Sequence, residues 1–199
     1  LISPYFLLFC LFFGIQCSAN LWNIVTMRDF LSYLGDDEKD NLYITIFTAL
    51  TPVSVLASPL IDFVILKFGF VGALHGINLL GAIYTTIKIV SDDLNVQIIG
   101  LVAFSLYRGF LFGVSFRFLH KIVFGPVIGR AAGILNMISV ATFFLTIPLA
   151  HLAFEKNDGN FIIPNVMYLL LNIPCFLAIA GIGFYSKKEL QVKEDRDTL

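Results

Sequence analysis

The sequence places one guanidinium group where a membrane would surround it. Arg108 lies in the apolar run from Gln97 to Phe118, and a helix needs ~20 mostly apolar residues to span a bilayer. It is about ten residues from either end of that run, which is ~15 Å at 1.5 Å per residue. A charged side chain at this depth costs at least ~2.5 kcal/mol. Arg108 must therefore face a water-filled cavity, a partner charge or an anionic ligand, either as a structural tie between helices or as a ligand-binding or gating residue.

Amide side chains follow one face of the first apolar run. Gln16, Asn20 and Asn23 fall at positions i, i+4 and i+7, so they form one stripe along a helix. In a later run, Asn136 and Ser139 begin a similar stripe. An amide in contact with lipid would leave its hydrogen-bonding groups unsatisfied, so these stripes must face protein or water. Hydrogen bonds between helices are one explanation, but because several runs carry such stripes, a polar cavity explains them better.

The acidic residues lie away from the level of Arg108. Asp62 sits near one end of the second predicted span and Asp29 near one end of the first, so neither offers a counter-ion at mid-membrane depth. A carboxylate on a bound solute, or an acid elsewhere in a longer protein, would complete the pair. Proton relays in membranes use Asp, Glu or His. This sequence offers His75 and His151, and for His75 a hydrogen-bonded structural role is the more frequent one.

The composition is that of an all-α membrane protein. Of 199 residues, 58% are hydrophobic and 14% are charged, against about 25% charged residues in a typical soluble domain. The net charge of −1 offers no basic surface to nucleic acid. Cys10, Cys17 and Cys175 lack metal-ligand spacing, so we interpret them as small core residues and predict no metal site and no cofactor. The chain starts at Leu1, and we expect a fragment of a longer protein.

Six apolar runs predict six transmembrane helices that form one bundle over residues 1–185. The predicted spans are 3–34, 42–66, 70–90, 97–118, 127–152 and 163–185. Polar segments separate several of them, namely Gly35–Asp40, Ser91–Asn95 and Glu155–Asn160. Residues 186–199 form a charged tail after the last span.

The basic residues predict how the bundle is oriented. Lys39 and Lys156 lie in loops on one side of the membrane. Eight of the 13 Lys and Arg residues fall on the other side, namely Lys67, Arg117, Lys121, Arg130, Lys187, Lys188, Lys193 and Arg196. Because Lys and Arg concentrate in cytoplasmic loops, we predict that the richer side, with the C-terminus, is cytoplasmic.

Two glycine pairs predict close helix packing. Gly109 and Gly113 in the fourth span, and Gly129 and Gly133 in the fifth, are four residues apart. Small residues at this spacing let two membrane helices approach closely. We therefore predict a packing role for these glycines in preference to a ligand role.

Several short stretches resemble one family of membrane transporters. Six spans with both ends cytoplasmic are the arrangement of one half of a major facilitator superfamily transporter. The stretches that resemble solute carrier family 43, the sodium-independent transporters of large neutral amino acids, are 42–47, 57–62, Tyr107–Phe110 and 129–133 with its continuation to Ser139. Animal members carry a long basic insertion where this chain has only residues 63–69, and a fungal or protist relative fits this difference.

The resemblance implies a fold and a set of roles. The chain would be the C-terminal six-helix half, with the first and fourth spans lining a central cavity and the fifth contributing Asn136. Its partners would be a small solute, the lipid bilayer and the N-terminal six-helix half of the same protein. The run 59–69 resembles the superfamily's cytoplasmic loop motif. Asp62 would therefore have a structural or gating role, accepting hydrogen bonds at a neighbouring helix N-terminus, where the helix dipole favours an anion.

The implied function is facilitative transport of a small solute, most simply amino acids, by alternating access and without enzymatic chemistry. The candidate substrate-binding residues are Arg108, Gln16, Asn20, Asn23 and Asn136. Two alternatives stay open. One is a proton-coupled carrier, and the other is a membrane scaffold or receptor-like protein that kept the fold and lost transport.

Overall fold

The computed structural model describes residues 4–123, 125–144, 146–156 and 160–197, and within these ranges it contains helices and no strand. The helices are α1 (Pro4–Tyr33), α2 (Leu42–Val53), α3 (Ser58–Val90), α4 (Leu94–Ile122), α5 (Ile128–Phe143), α6 (Thr146–His151), α7 (Ile162–Leu170) and α8 (Asn172–Asp197). Short 3-10 turns span Asp36–Lys39, Ser54–Ala57 and Gly125–Val127, and a π turn spans Leu152–Lys156. The predicted all-helical fold is confirmed.

Five helical stretches in the described residues are long and apolar enough to cross a membrane, as a multi-pass membrane protein requires. The longest runs from Leu42 to Val90 and has 49 residues, or roughly 74 Å of helix at 1.5 Å per residue. That is more than twice the ~30 Å thickness of a bilayer's hydrocarbon core. Its backbone leaves the helical region at Gly69, where φ is 70° and ψ is 178°. This glycine divides the stretch into two arms between the second and third predicted spans. We call residues 42–68 the second arm and residues 70–90 the third arm, counting α1 as the first.

The predicted ends of the bundle lie partly outside the described residues. This applies to Ser3, to 157–159 in the last loop and to the final residues 198–199. At the C-terminus, α8 continues to Asp197, so the helix extends past the predicted span end at Tyr185 and into the charged tail.

Helix α1 is the centre of the packing. It contacts α5 on one side, α8 on another, and α4 as well, while α3 and α4 pack against each other. Phe9, Phe12 and Trp22 of α1 are almost completely buried. The second arm is the opposite case, since Leu56 is 75% exposed and Leu66 is 87% exposed. Exposed apolar surface on this scale is unusual for a soluble monomer and suits a helix that faces lipid.

Acidic side chains in the loops define where two helices begin. The carboxylate of Asp36 is buried and accepts hydrogen bonds from the backbone N–H groups of Tyr43 and Ile44, both at 3.0 Å. Asp93 accepts the N–H of Asn95 at 2.8 Å, at the start of α4. Both contacts satisfy donors that the first turn of a helix leaves without an intrahelical partner.

The apolar stretch from Gly125 to Glu155 is divided into α5 and α6. Pro148 lies in α6, and a proline removes a backbone donor from the helix around it. At the end of α5, the carbonyl of Thr142 accepts a hydrogen bond from Ser18 Oγ of α1 at 3.1 Å. A side chain from the central helix thus satisfies a carbonyl beside the break, as a membrane interior requires.

Candidate functional site

A cleft between α4 and the second arm holds Arg108. Its volume is about 510 Å³, within the ~300–1,000 Å³ range of small-molecule sites. Arg108 is half-buried and lies midway along α4, roughly 21 Å from either end of the helix. Within the described residues, no hydrogen bond or ion pair reaches its guanidinium. The wall opposite Arg108 is lined by Thr51, Pro52, Ser54, Val55, Ser58 and Ile61.

Two glycines let the second arm approach α4 beside this cleft. A Cβ atom at Gly109 would lie 2.5 Å from the backbone oxygen of Ser54, and one at Gly113 would lie 2.6 Å from Cδ1 of Ile61. The predicted packing role fits this geometry. The other glycine pair differs, because a Cβ at Gly129 or Gly133 would have no described atom within 4 Å.

Asp62 forms an ion pair at the end of the same helix interface. Its Oδ1 lies 2.6 Å from Nη1 of Arg117 on α4, and Arg117 also donates to Ser58 Oγ at 3.0 Å. From the resemblance of residues 59–69 to the superfamily's loop motif, we expected Asp62 to accept hydrogen bonds at a neighbouring helix N-terminus. In the structure its partner is a side chain instead, and Asp62 is therefore not the counter-ion of Arg108.

Gln16 lies in a hydrogen-bond network between helices. Its Nε2 donates to Asn78 Oδ1 at 2.8 Å, and its Oε1 accepts from the hydroxyl of Tyr107 at 2.8 Å. Asn78 in turn donates to the backbone oxygen of Asn172 at 3.1 Å. Gly81 leaves room for the ring of Tyr107, since a Cβ there would lie 3.1 Å from it. The network ties α1, the third arm, α4 and α8 together in the interior of the bundle.

Asn23 is the acceptor of a second buried cluster. Its Oδ1 accepts from the Tyr84 hydroxyl and from Lys88 Nζ, both at 3.0 Å. Lys88 is only 3% exposed, and its Nζ lies 4.2 Å from the centre of the Phe30 ring. Among the described residues no carboxylate pairs with this amino group, and its neighbours are a neutral amide and an aromatic face.

Between the two clusters lies an internal cavity of about 10 Å³, lined by Gln16, Asn23, Tyr84, Tyr107 and other residues. This is about the smallest volume that holds one water molecule. Its polar walls make it suited to a single bridging water. It is too small for a solute of amino-acid size.

The structure does not bring the five candidate binding residues together. Gln16 and Asn23 face the interior of the bundle, while Arg108 faces the cleft on the second arm. Asn20 is buried, and its Oδ1 has no hydrogen-bond partner among the described residues. Asn136 is exposed on α5 and is not part of the cleft. Arg108 is thus the candidate that lines a cavity of solute size.

Sequence reasoning missed several polar residues of the interior. Lys88 and Tyr84 contact Asn23, and Tyr107 contacts Gln16. Lys88 could have been found from the sequence because it is a lysine inside an apolar run. For Tyr107, the sequence feature was its position next to Arg108. Outside these clusters, His151 pairs with Glu155 at 2.9 Å.

Comparison with known proteins gives no relative. No family model matches this sequence, and no curated protein or solved structure matches it either. The resemblance to major facilitator transporters therefore rests on the short stretches named above and on the order of the spans.

Proposed function

We propose that this chain is part of a membrane carrier that moves a small solute with an anionic group, most simply an amino acid, by alternating access. The observation that carries the proposal is Arg108, a guanidinium with no partner in the described chain, facing a cleft of about 510 Å³. An intramembrane charge without a partner marks a functional site by default. A guanidinium can hold a carboxylate with two parallel hydrogen bonds, so an amino-acid carboxylate suits both the charge and the volume.

The architecture supports a carrier of the major facilitator type. Five apolar stretches support it, and because Gly69 interrupts the longest of them, the proposal assigns six crossings to the chain, the number in one half of such a transporter. In this proposal, the turn at Ser54–Ala57 and the division between α5 and α6 correspond to the discontinuous helices that transporters use near the middle of the membrane. In this proposal the C-terminus is cytoplasmic, and an N-terminal half of the same protein closes the cleft from the opposite side.

Uptake of labelled amino acids into proteoliposomes tests the role of Arg108. Arg108→Lys keeps the charge but not the two-pronged geometry, so we expect it to lose most uptake, and Arg108→Ala to lose all of it. Arg130→Ala is the matched control, because it removes the same charge from an exposed position on α5 and should transport normally.

The outcome separates the competing roles of Arg108. A purely structural arginine predicts that Arg108→Ala folds or expresses poorly, which size-exclusion profiles of the purified variants reveal. A well-folded Arg108→Ala protein with normal uptake and affinity would overturn the proposal. Absence of uptake by the wild-type protein for any amino acid favours a scaffold or receptor, and uptake that follows an imposed pH gradient favours proton coupling.

A further inference from the structure

A second large cavity lies on the other side of α1, away from Arg108. It has a volume of about 530 Å³ and lies between α1, the broken stretch of α5 and α6, and α7. Most of its lining is apolar, with Leu149 and Leu152 on one wall and Met167 and Leu171 on another. Among the residues that the structure describes, none that lines it is charged. A polar solute would therefore lose its hydration here without gaining a charged partner.

The few hydroxyl groups in this cavity are satisfied by backbone carbonyls and by a contact between Ser18 and Tyr168. Ser18 Oγ donates its single proton to the carbonyl of Thr142 at 3.1 Å. Tyr168, 3.0 Å from Ser18 Oγ, must then be the donor in that contact. Thr142 Oγ1 lies 2.9 Å from the backbone oxygens of both Gly14 and Ser139 and donates its proton to one of them. The lining thus needs no hydrogen bond from an occupant, which favours a wholly apolar one.

Membrane insertion as proposed would put the α1 wall of the cavity at the depth of the hydrocarbon core. Ser18 is at the middle of the 30-residue helix α1, and a helix of that length exceeds the bilayer core at both ends. At the outer surface of α7, Met167 is 43% exposed and Leu170 is 56% exposed. An occupant can therefore enter sideways from the lipid, without passing through water.

We propose that this cavity binds one hydrocarbon chain of a membrane lipid. Protein interiors are close-packed and leave few voids larger than a water molecule, while apolar cavities stay dry and bind apolar molecules. A volume of about 530 Å³ with apolar walls and an exposed mouth at Met167 and Leu170 consequently suits a lipid hydrocarbon chain. The chain would seat against the break between α5 and α6 and contact both sides of it.

Close packing, and not the hydrophobic effect, would hold a hydrocarbon chain in this cavity. A hydrocarbon chain leaves one apolar medium for another, so the hydrophobic effect gives no net gain, and close packing supplies the preference. The bound chain therefore exchanges with the surrounding lipid. A covalent trap is the suitable probe, and retention through purification is not.

The experiment uses phosphatidylcholine with a diazirine midway along one acyl chain, mixed into proteoliposomes that contain the protein. After irradiation, mass spectrometry of peptides locates the labelled residues. We expect labelling to concentrate on the lining, at Leu149, Met167 and Leu170, above the level at Leu177, which is 65% exposed and lies outside the cavity. Equal labelling of Leu170 and Leu177 in the wild-type protein would mean bulk lipid contact only and overturn the proposal.

Two tryptophan variants make the test specific. Leu170→Trp fills the mouth of the cavity and should reduce labelling of Leu149 by about five-fold or more, which corresponds to ~1 kcal/mol of lost packing. Leu177 lies seven residues further along the stretch from Ile162 to Ser186, on the same helix face. Leu177→Trp should therefore leave the labelling of Leu149 unchanged. Unchanged labelling of Leu149 in Leu170→Trp contradicts the proposed cavity.

The proposal rests on the membrane insertion that the proposed function assumes, and the two can fail separately. Release of the protein from membranes by alkaline extraction would refute both. Retention in the membrane with uniform labelling refutes the lipid cavity alone, whatever the protein transports.

Discussion

Gly109→Ala should destabilise the protein because of a contact with backbone. The added Cβ would lie 2.5 Å from the carbonyl oxygen of Ser54 and 3.3 Å from the Cβ of Ala57. The oxygen belongs to the turn between α2 and α3, so it cannot rotate away, and α4 must move outward. Overpacking of this kind costs about 1–3 kcal/mol, while alanine in a helix interior gains about 0.5–1 kcal/mol over glycine. The difference is a net loss of about 0–2.5 kcal/mol, and its midpoint of about 1.2 kcal/mol is a factor of ~8 in the ratio of folded to unfolded protein.

Gly133→Ala is the matched control, with the same substitution in another helix. No described atom lies within 4 Å of the added Cβ, so only the gain of about 0.5–1 kcal/mol remains. Equilibrium unfolding in mixed micelles measures both variants against the wild-type protein. The two changes should have opposite signs. If Gly109→Ala were as stable as the wild type, close contact with Ser54 could not be what sets the distance between α4 and the second arm.

Further predictions concern the charged side chains. Lys88→Met should leave the free energy of unfolding unchanged or raise it, because an apolar side chain replaces a buried amino group that has no anionic partner. Asn23→Leu should lower the free energy of unfolding by about 1.5–3 kcal/mol, because Lys88 and Tyr84 both lose their acceptor. If unfolding in micelles showed Lys88→Met to be less stable than Asn23→Leu, this geometry would be contradicted. Asp62→Asn should change stability by less than ~1 kcal/mol, since the pair is 35% and 60% exposed. If the pair matters for transport, exchanging Asp62 and Arg117 should restore uptake that either single reversal loses, and an exchanged variant as impaired as the single ones would exclude that role.

The helical fold follows from the sequence, and so does the interruption at Gly69. Apolar runs of about 20 residues determine where helices can cross a bilayer, and the glycine at position 69 falls where the second and third spans were divided. The amide stripe on α1 was also recognisable, because Gln16, Asn20 and Asn23 are all buried. Amides on a membrane helix have to avoid lipid, and burial satisfies that need.

The direction in which each stripe faces could not be predicted. An interhelical hydrogen bond and a polar cavity satisfy an amide equally well, so the pattern of Gln16 and Asn23 fits both. Their partners, Tyr107, Tyr84 and Lys88, lie more than 60 residues away in sequence, and helix periodicity carries no information about such contacts. The ion pair of Asp62 with a distant arginine was missed for the same reason.

The buried carboxylate of Asp36 bears on how the chain is inserted during synthesis. The two backbone N–H groups that donate hydrogen bonds to it are only seven and eight residues further along the chain. The cap can therefore form as soon as the loop and the first turn of α2 have left the ribosome, before α4 has been translated. Two donors that would be costly to bring into lipid are already satisfied at that stage. Helix α1 and the second arm can consequently enter the bilayer together, as a helical hairpin with a closed turn.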